Sequence, residues 1–331
     1  MSQVLVTGGA GYIGSHTCQH LLSAGYDVVV LDNLYSGHRW AVPDEATFIE
    51  GDAGSLNTLN QIFVDNQIDA VIHFAGHIVV PESVQDPLKY YENNCSVTQT
   101  IASAAVNNGI KHLIFSSSAA VYGEPDQLPV SEMTLPNPIS PYGRTKLISE
   151  WLLEDLSHAN IEFDYVALRY FNVAGAALDG SIGQSTPEAT HLIKVASELA
   201  TGKRDKVALF GTDYPTHDGT CVRDYIHVED LAAAHVSSLR YLQSGGKSEV
   251  LNCGYGQGFS VQQVLDCISS IADEPLNIVI QGRRAGDPAE LIANNSKILS
   301  ILDWQPKYND LQLICRTALD WEKKLIGSNK V

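Results

Sequence analysis

Short apolar runs alternate with amphipathic stretches along the first half of the chain. Apolar runs cover residues 3–9 and 27–31, and a helical pattern fills residues 15–23 between them. Further strand-like runs follow at 47–52, 69–76, 111–115 and 161–171, with a long helical stretch at 87–108. Apolar strands that alternate with helical crossovers are typical of a doubly wound parallel sheet. The pattern therefore predicts an α/β fold of the Rossmann type.

The pattern changes after residue 171. Residues 172–190 are rich in glycine, alanine and polar residues, and neither a second glycine-rich turn nor an internal repeat follows. We predict two domains: a nucleotide-binding Rossmann domain over residues 1–171 and a smaller α/β substrate-binding lobe over residues 172–331. Within the second domain, a strand passing into a capped helix at 222–245 is expected to pack back against the first domain.

A turn of regularly spaced glycines joins the first strand to the first helix. Gly8, Gly11 and Gly14 are three residues apart, a spacing that lets a diphosphate approach the backbone and the helix N-terminus. Asp32, at the end of the second strand, can accept hydrogen bonds from both hydroxyls of an adenosine ribose and would repel a 2′-phosphate. The nearest basic residue is Arg39. These features predict NAD, rather than NADP, as the cofactor.

Tyr142 and Lys146 begin a helical stretch and, four residues apart, leave the same face of that helix. A neighbouring ammonium favours the phenolate, so we expect the pKa of Tyr142 to fall from about 10 toward neutrality. Taken alone, the pair is more typical of an ordinary surface helix. Ser118 changes that interpretation, because it follows the strand at 111–115 and so lies at the sheet edge where such folds carry their site. Its hydroxyl can donate to a substrate oxygen while Tyr142 exchanges a proton.

Composition and charge exclude several classes of function. With 38 acidic and 21 basic residues the formal charge is −17, which disfavours nucleic acid and anionic membranes as partners. We find no basic leader and no apolar run long enough to span a bilayer. The six scattered cysteines and eleven histidines show no metal-ligand spacing, which predicts no metal site and reduced thiols in a cytoplasmic protein. Arg283 and Arg284 are a conspicuous basic pair that could bind an anion or simply lie in a solvated turn.

The motifs resemble those of the extended short-chain dehydrogenase/reductase superfamily and, within it, the UDP-glucose 4-epimerases. The resemblance covers nearly the whole chain, and its most specific part is the segment 211–220. The motifs that carry it are Thr7-Gly8-x-x-Gly11-x-x-Gly14, Asp32-Asn33-Leu34, His73-Phe74-Ala75-Gly76, Asn93-Asn94, Ser116-Ser117-Ser118, Tyr142-x-x-x-Lys146, Arg169-Tyr170-Phe171-Asn172 and Val222-Arg223-Asp224.

The resemblance implies reversible C4 epimerisation of UDP-glucose and UDP-galactose through a transient 4-keto sugar, with tightly bound NAD as the hydride store. Tyr142 would shuttle the proton, Lys146 and the positive nicotinamide would lower its pKa, and Ser118 would bind the 4-oxygen. A homodimer formed by helices near 90–108 and 142–157, paired as a four-helix bundle, is also implied.

The resemblance further implies two sets of binding residues. Those for NAD are Gly8, Gly11, Tyr12, Ile13, Gly14, Asp32, Asn33, Asp52, Ala53, Phe74, Ala75, Gly76, Asn93, Ser116, Tyr142, Lys146 and Tyr170. Those for the UDP-sugar are Ser118, Tyr142, Asn172, Leu192, Phe210, Arg223, Arg284, Asp287 and Leu291.

Four positions separate this chain from relatives on the same fold. Related dehydratases carry an Asp-Glu pair, and related decarboxylases a Glu, where this chain has Ala119 and Ala120, so elimination chemistry is disfavoured. Ile78 stands where many relatives place a lysine near the cofactor phosphates. Leu291 stands where members restricted to glucose and galactose carry a bulky tyrosine, which suggests tolerance of UDP-GlcNAc.

Two alternative functions remain open at this point. One is a 4-epimerase of another UDP-sugar, such as UDP-GlcNAc, a UDP-pentose or a UDP-uronate. The other is a non-catalytic NAD sensor on the same fold, against which the intact Tyr142 and Lys146 pair argues.

Overall fold

The computed structural model describes residues 2–284 and 287–328. The first strands are β1 Gln3–Thr7, β2 Asp27–Asp32, β3 Thr47–Glu50, β4 Ile68–His73, β5 His112–Ser116, β6 Asp164–Tyr170 and β7 Asn172–Ala174. The later strands are β8 Val207–Phe210, β9 Val222–His227, β10 Glu249–Cys253, β11 Gly258–Ser260, β12 Ile278–Gln281 and β13 Glu290–Leu291.

Helices separate most of these strands. The first are α1 Tyr12–Ser23, α2 Leu56–Asp65, α3 Val80–Gln85, α4 Pro87–Tyr90, α5 Val97–Asn107 and α6 Pro141–Ala159. The later helices are α7 Leu192–Ala200, α8 Val228–Gln243, α9 Val261–Ala272, α10 Ser296–Ile301 and α11 Leu311–Ile326.

A seven-stranded parallel sheet in the order β10-β6-β5-β4-β1-β2-β3 forms the centre of the fold. Successive side chains of β1 enter different apolar clusters, Val4 and Val6 on one face of the sheet and Leu5 on the other. Both faces are covered by helices, as buried parallel strands require. The Rossmann-type α/β fold predicted from the apolar pattern is confirmed.

The second half of the chain contributes to this sheet. α8 packs against α1, and β10 pairs with β6 at the sheet edge, although both follow residue 171 in sequence. Glu229 at the start of α8 bonds to the rings of His16 and His20 on α1. The chain therefore returns to the first lobe after residue 222, and the two lobes are interwoven rather than consecutive.

The smaller lobe combines short strands with three packed helices. β9 pairs with β7, β11 and β13, while β8 pairs with β12. Helices α7, α9 and α11 pack together, and the carboxylate of Glu322 on α11 is fully buried against Lys194 on α7. Across residues 2–284 and 287–328, no helix has both the length and the apolar character needed to cross a membrane.

The helix predicted over 87–108 differs from the structure in one respect. A π-helical segment, Tyr91–Ser96, joins α4 to α5. It carries Asn94, whose amide oxygen accepts from the backbone N–H of His77 at 2.8 Å and whose amide nitrogen donates to the carbonyl of His77 at 3.0 Å. π-helical turns of this kind often occur at functional sites. Here the two hydrogen bonds of Asn94 fix the loop that follows β4 against the π-helical turn.

Gly14 allows α1 to approach the glycine-rich turn. A Cβ at this position would stand 2.2 Å from the Gly8 carbonyl oxygen, a backbone atom that cannot move independently of the turn. We predict that Gly14→Ala lowers the free energy of unfolding by about 1–3 kcal/mol, the usual cost of overpacking. Urea unfolding measures this. Gly327→Ala is the matched control, because its Cβ would meet no atom closer than 3.9 Å; equal losses in both variants would contradict the prediction.

Candidate active site

A cavity of about 770 Å³ runs along the carboxyl edge of the central sheet. The glycine-rich turn and the ends of β2, β4, β5 and β6 form one side. The start of α6 and parts of the smaller lobe, including β7, β9 and β13, form the other. Open α/β sheets bind ligands at this edge. The cavity is therefore the candidate site.

Most of the residues predicted from the sequence lie in the wall of this cavity. They are Gly8, Gly11, Tyr12, Ile13, Gly14, Asp32, Asn33, Asp52, Ala53, Phe74, Ala75, Gly76, Asn93, Ser116, Ser118, Tyr142, Tyr170, Asn172, Arg223, Arg284, Asp287 and Leu291.

Three predicted residues lie outside the wall, which corrects their expected placement. Leu192 begins α7 and packs on the apolar core, so that His191 before it lines the cavity instead. The ring of Phe210 is covered by the Arg284 guanidinium at 4.1 Å, so that Arg284 rather than Phe210 faces the cavity. Lys146 lies behind the wall.

Lys146 approaches the site from within the protein. Its side chain is almost fully buried, and Nζ donates to the Ser116 carbonyl oxygen at 2.8 Å. The same Nζ lies 5.9 Å from the centre of the Tyr142 ring. Tyr142 and Lys146 therefore share one face of α6, as their spacing predicts, but the ammonium is held on the strand end of β5 rather than on the phenol.

The predicted lowering of the Tyr142 pKa is wrong for the polypeptide's own groups. Burial raises the pKa of Tyr142, because removal from water disfavours the phenolate, and a hydrogen bond from Ser118 opposes this rise. The spacing argument counted a neighbouring charge but not the cost of burial. A further positive charge at the site is needed to bring this phenol toward neutrality.

Burial also affects the lysine. It lowers the pKa of Lys146 to about 8, while the thiolate of Cys95, where that thiol is ionised, and the carboxylate of Glu150 act in the opposite direction. Lys146 is therefore still protonated at pH 7, but its pKa lies close to neutrality. Its charge state is set by the groups packed around it.

The first side of the cavity fits a dinucleotide. Gly8 adopts a φ of 76°, and a Cβ there would stand 2.6 Å from the Ala75 backbone nitrogen, so the turn packs directly on the end of β4. At Gly11, the N-cap of α1, a Cβ would meet only the Gly8 carbonyl oxygen, at 3.2 Å. The N-terminus of α1 is therefore open to the cavity, where its N–H groups can bind a diphosphate.

Asp32 fits the ribose end of such a ligand. Its oxygens accept from the backbone N–H groups of Ala10 at 2.9 Å and Leu34 at 2.8 Å, which fixes the carboxylate at the cavity wall. Each oxygen keeps a second lone pair for a hydroxyl. Arg39 packs its guanidinium over the Phe48 ring at 4.8 Å. The carboxylate at this position suits an adenosine without a 2′-phosphate.

Two arginines converge at the far side of the cavity. Asp287 lies between them, 3.9 Å from the Arg223 guanidinium and 4.0 Å from that of Arg284. Both arginines line the cavity. Two guanidinium groups and one carboxylate leave a net positive charge, which suits an anionic group such as a diphosphate.

Sequence reasoning missed several residues of the wall. Asn94, quoted in a motif but given no role, is not itself in the wall but holds the His77 backbone after β4. His77 and Tyr35 line the cavity with their rings 4.9 Å apart, and Ile78 lies beside them. His191 also lines the cavity and accepts a hydrogen bond from Gln184 at 2.9 Å. Gln184 and His191 carry no local signal, because only the chain path through 172–191 brings them here.

Leu291 belongs to an apolar cluster that forms part of the wall. The cluster also includes Ala119, Phe171 and Val121. Leu291 is 9% exposed and lies on β13, which pairs with β9 beside Arg223. The side chain at this position is therefore part of the same cavity wall as Arg223 and Tyr142.

Comparison with known proteins agrees with this geometry. Residues 4–254 match the NAD dependent epimerase/dehydratase family. The chain is 49% identical over 323 residues to a UDP-glucose 4-epimerase of Azospirillum brasilense, covering 98% of this chain and 92% of that protein. A crystal structure of UDP-glucose 4-epimerase from Brucella ovis in complex with NAD is 44% identical, with a TM-score of 0.94 and coverage of 97% and 98%.

A second solved structure, the UDP-Glc/GlcNAc 4-epimerase of Campylobacter jejuni, is 48% identical, with a TM-score of 0.86 and coverage of 98% of this chain and 100% of that one. These identities extend over nearly the full length of each protein and include the edge of the sheet where the cavity lies. The chain therefore belongs to the NAD dependent epimerase/dehydratase family.

Proposed function

We propose that this enzyme interconverts UDP-glucose and UDP-galactose by reversible epimerisation at C4, the activity named for its relatives. The observation that supports this most is the placement of Tyr142, Ser118 and Lys146 at the edge of a cavity that fits a dinucleotide. Ala119 and Ala120 line the same wall and cannot transfer protons. The side chains beside the phenol thus support proton exchange at O4 but not elimination of water.

The glycine-rich turn, Asp32 and the ends of β4 and β5 would hold NAD, as the cavity shape and the NAD complex of the Brucella ovis relative support. NAD held there would supply a reversible hydride acceptor for C4, and the positive charge of its nicotinamide would favour the Tyr142 phenolate. Lys146 would contribute a second positive charge from its position at the end of β5, where its ammonium donates to the Ser116 carbonyl. We assign the first lobe to the cofactor and the smaller lobe to the UDP-sugar.

Proton transfer falls to residues of this chain. Tyr142, as phenolate, accepts the proton of the sugar 4-hydroxyl and later returns it to the 4-oxygen. Ser118 donates a hydrogen bond to that oxygen. Arg223 and Arg284 anchor the UDP diphosphate, which leaves the hexose free to present either face of its 4-keto form at the same site. Firm anchoring at one end and loose contact at the other are what inversion at a single carbon requires.

Tyr142→Phe tests the proton shuttle. Removal of the hydroxyl should lower the turnover of UDP-galactose, assayed without added NAD, by about 10²–10⁴-fold, the usual contribution of a positioned acid–base group. Bound NAD, measured after denaturation, should stay at the wild-type level. Tyr165→Phe is the matched control, since Tyr165 is also buried but lies on β6 outside the cavity wall. An active Tyr142→Phe enzyme would exclude this role, and an inactive wild type that retains NAD would favour the sensor.

The substrate range extends, in our proposal, to UDP-GlcNAc. Leu291 leaves space in the wall that a larger side chain would fill, and a relative with 48% identity is named for both UDP-Glc and UDP-GlcNAc. UDP-pentoses and UDP-uronates remain alternatives that the wall does not separate, because the substituent at C5 is distinguished only by pocket shape.

Leu291→Tyr tests this range. The wild type should convert UDP-GlcNAc to UDP-GalNAc, and the variant should lose at least ten-fold in that reaction because the ring occupies the space for the N-acetyl group. Turnover of UDP-galactose in the same preparation serves as the internal control and should change less than three-fold. Absence of UDP-GalNAc from the wild-type reaction, followed by chromatography, would refute the extended range.

We also propose a homodimer that pairs α5 and α6 of two copies. The two helices contact one another, and their outward faces are exposed, including Trp151, which is 55% exposed, and Arg144 on α6. Ser96, Gln99 and Ser103 form a matching exposed stripe on the neighbouring helix. We place the enzyme in the cytoplasm, with all six cysteines present as free thiols.

Sedimentation velocity tests the dimer. The wild type should sediment with twice the mass of the chain, and Trp151→Glu should shift the distribution toward the monomer, because a carboxylate cannot be buried without a partner. Leu178→Glu is a suitable control, since Leu178 is 53% exposed but lies in the smaller lobe. A monomeric wild type at micromolar concentration would contradict the proposal.

A further inference from the structure

The three consecutive serines at the end of β5 each have a different partner. The Ser116 carbonyl accepts a hydrogen bond from Lys146, and the Ser118 hydroxyl forms a hydrogen bond with Tyr142. Ser117, between them, donates to Oε1 of Glu150 at 2.5 Å. Glu150 lies on α6, one helical turn beyond Lys146. One carboxylate therefore connects the strand end that carries Ser118 with the helix that carries both other reacting groups.

A third element is fixed by the same carboxylate. Arg169 on β6 donates to both oxygens of Glu150, with Nε 2.9 Å from Oε1 and a terminal nitrogen 2.5 Å from Oε2. Both side chains are almost fully buried. Another nitrogen of Arg169 donates to the Tyr122 hydroxyl at 2.9 Å, which in turn donates to Asn252. The guanidinium is thereby fixed in one orientation, and with it the carboxylate.

Charge near Lys146 comes from few groups. Those that face it are Tyr142 and Glu150 on its own helix, Cys95 of the π-helical segment and His73 of β4. Burial raises the pKa of Cys95 to about 11 and lowers that of His73 to about 3, so both are neutral at pH 7. Among these groups Glu150 is the negative charge that offsets the burial of the ammonium.

A buried ion pair is by itself weak evidence for a stabilising role. The pair of Glu150 and Arg169 differs from the pair of Glu322 and Lys194 in two ways. Glu150 accepts a hydrogen bond from Ser117, the residue beside Ser118, and its negative charge acts on the Lys146 ammonium. We propose that Glu150 is a positioning residue of the active site, which holds Ser118 and the Lys146 ammonium in register through Ser117 and Arg169. This inference rests on the proposed epimerase function.

Glu150→Gln and Glu150→Asp, compared by pH profile, test the proposal. In the wild type, kcat should fall above about pH 8 as Lys146 loses its proton. Removal of the negative charge favours the neutral lysine. The alkaline limb of the pH profile, where kcat falls, should therefore lie at least 0.5 pH unit lower in Glu150→Gln than in the wild type. kcat at pH 7.5 should drop at least ten-fold while KM for UDP-galactose changes less than three-fold. Glu150→Asp keeps the charge and should restore the wild-type position of the limb.

Two further variants separate positioning from stability. Glu322→Gln also disrupts a fully buried ion pair, but outside the cavity, and should lower the melting temperature without moving the alkaline limb. Ser117→Ala leaves the ion pair of Glu150 and Arg169 intact, so it also tests the proposal if Glu150→Gln does not fold. This variant should lower kcat at least five-fold without moving the alkaline limb of the pH profile. Bound NAD and near-ultraviolet circular dichroism establish that each variant is folded.

The inference is overturned if Glu150→Gln keeps the wild-type limb, or if folded Ser117→Ala keeps the wild-type kcat. A wild type that does not epimerise UDP-galactose in the same assay would instead refute the proposed function. The two failures are therefore distinguishable in one series of measurements.

Discussion

Burial of the Lys146 ammonium is the constraint around which this active site is organised. Removal from water disfavours both the ammonium and the Tyr142 phenolate, so the polypeptide opposes the very charge states that proton exchange at O4 requires. The Ser116 carbonyl, the Ser118 hydroxyl and the Glu150 carboxylate each offset part of that cost. A positive ligand beside Tyr142 would lower the remaining cost of the phenolate, and the carbonyl and carboxylate around Lys146 keep the ammonium protonated against that added charge. Activity is therefore tied to the bound cofactor by electrostatics as well as by hydride transfer.

The parallel sheet makes this arrangement available. Strands β4, β5 and β6 end at one edge, so residues distant in sequence meet without any long loop. The return of α8 and β10 to the same sheet joins the two halves of the chain, since β10 pairs with β6 along all five of its residues. β9, which carries Arg223 at the cavity wall, leads directly into α8, and α8 packs on α1. A diphosphate bound there, as we propose, would present its sugar to Tyr142 and Ser118 in the same cavity.

Local spacing was sufficient to predict the parts of the site that are local. The glycine spacing, Asp32 at a strand end and the i, i+4 relation of Tyr142 and Lys146 each depend on one element, and the structure places them as expected. Long-range packing could not be deduced in this way. His191 replaces Leu192 in the wall because of how α7 begins, and Arg284 covers Phe210. The direction of the Tyr142 pKa was wrong for the same reason, since burial is a property of the assembled fold and not of a spacing.

Reaction type and sugar preference share one apolar surface. Ala119 carries no group that could transfer a proton, and it packs in the same cluster as Leu291 and Phe171. An aspartate at 119 would bury a carboxylate in this cluster, and the cost of removing that charge from water would oppose such a change. A larger side chain at 291 would instead extend from the edge of this cluster into the cavity, since Leu291 forms part of its wall. The two changes therefore differ in cost, because burial opposes a charge at 119, whereas a larger apolar side chain at 291 reduces the room for the sugar and leaves the proton-transfer groups in place.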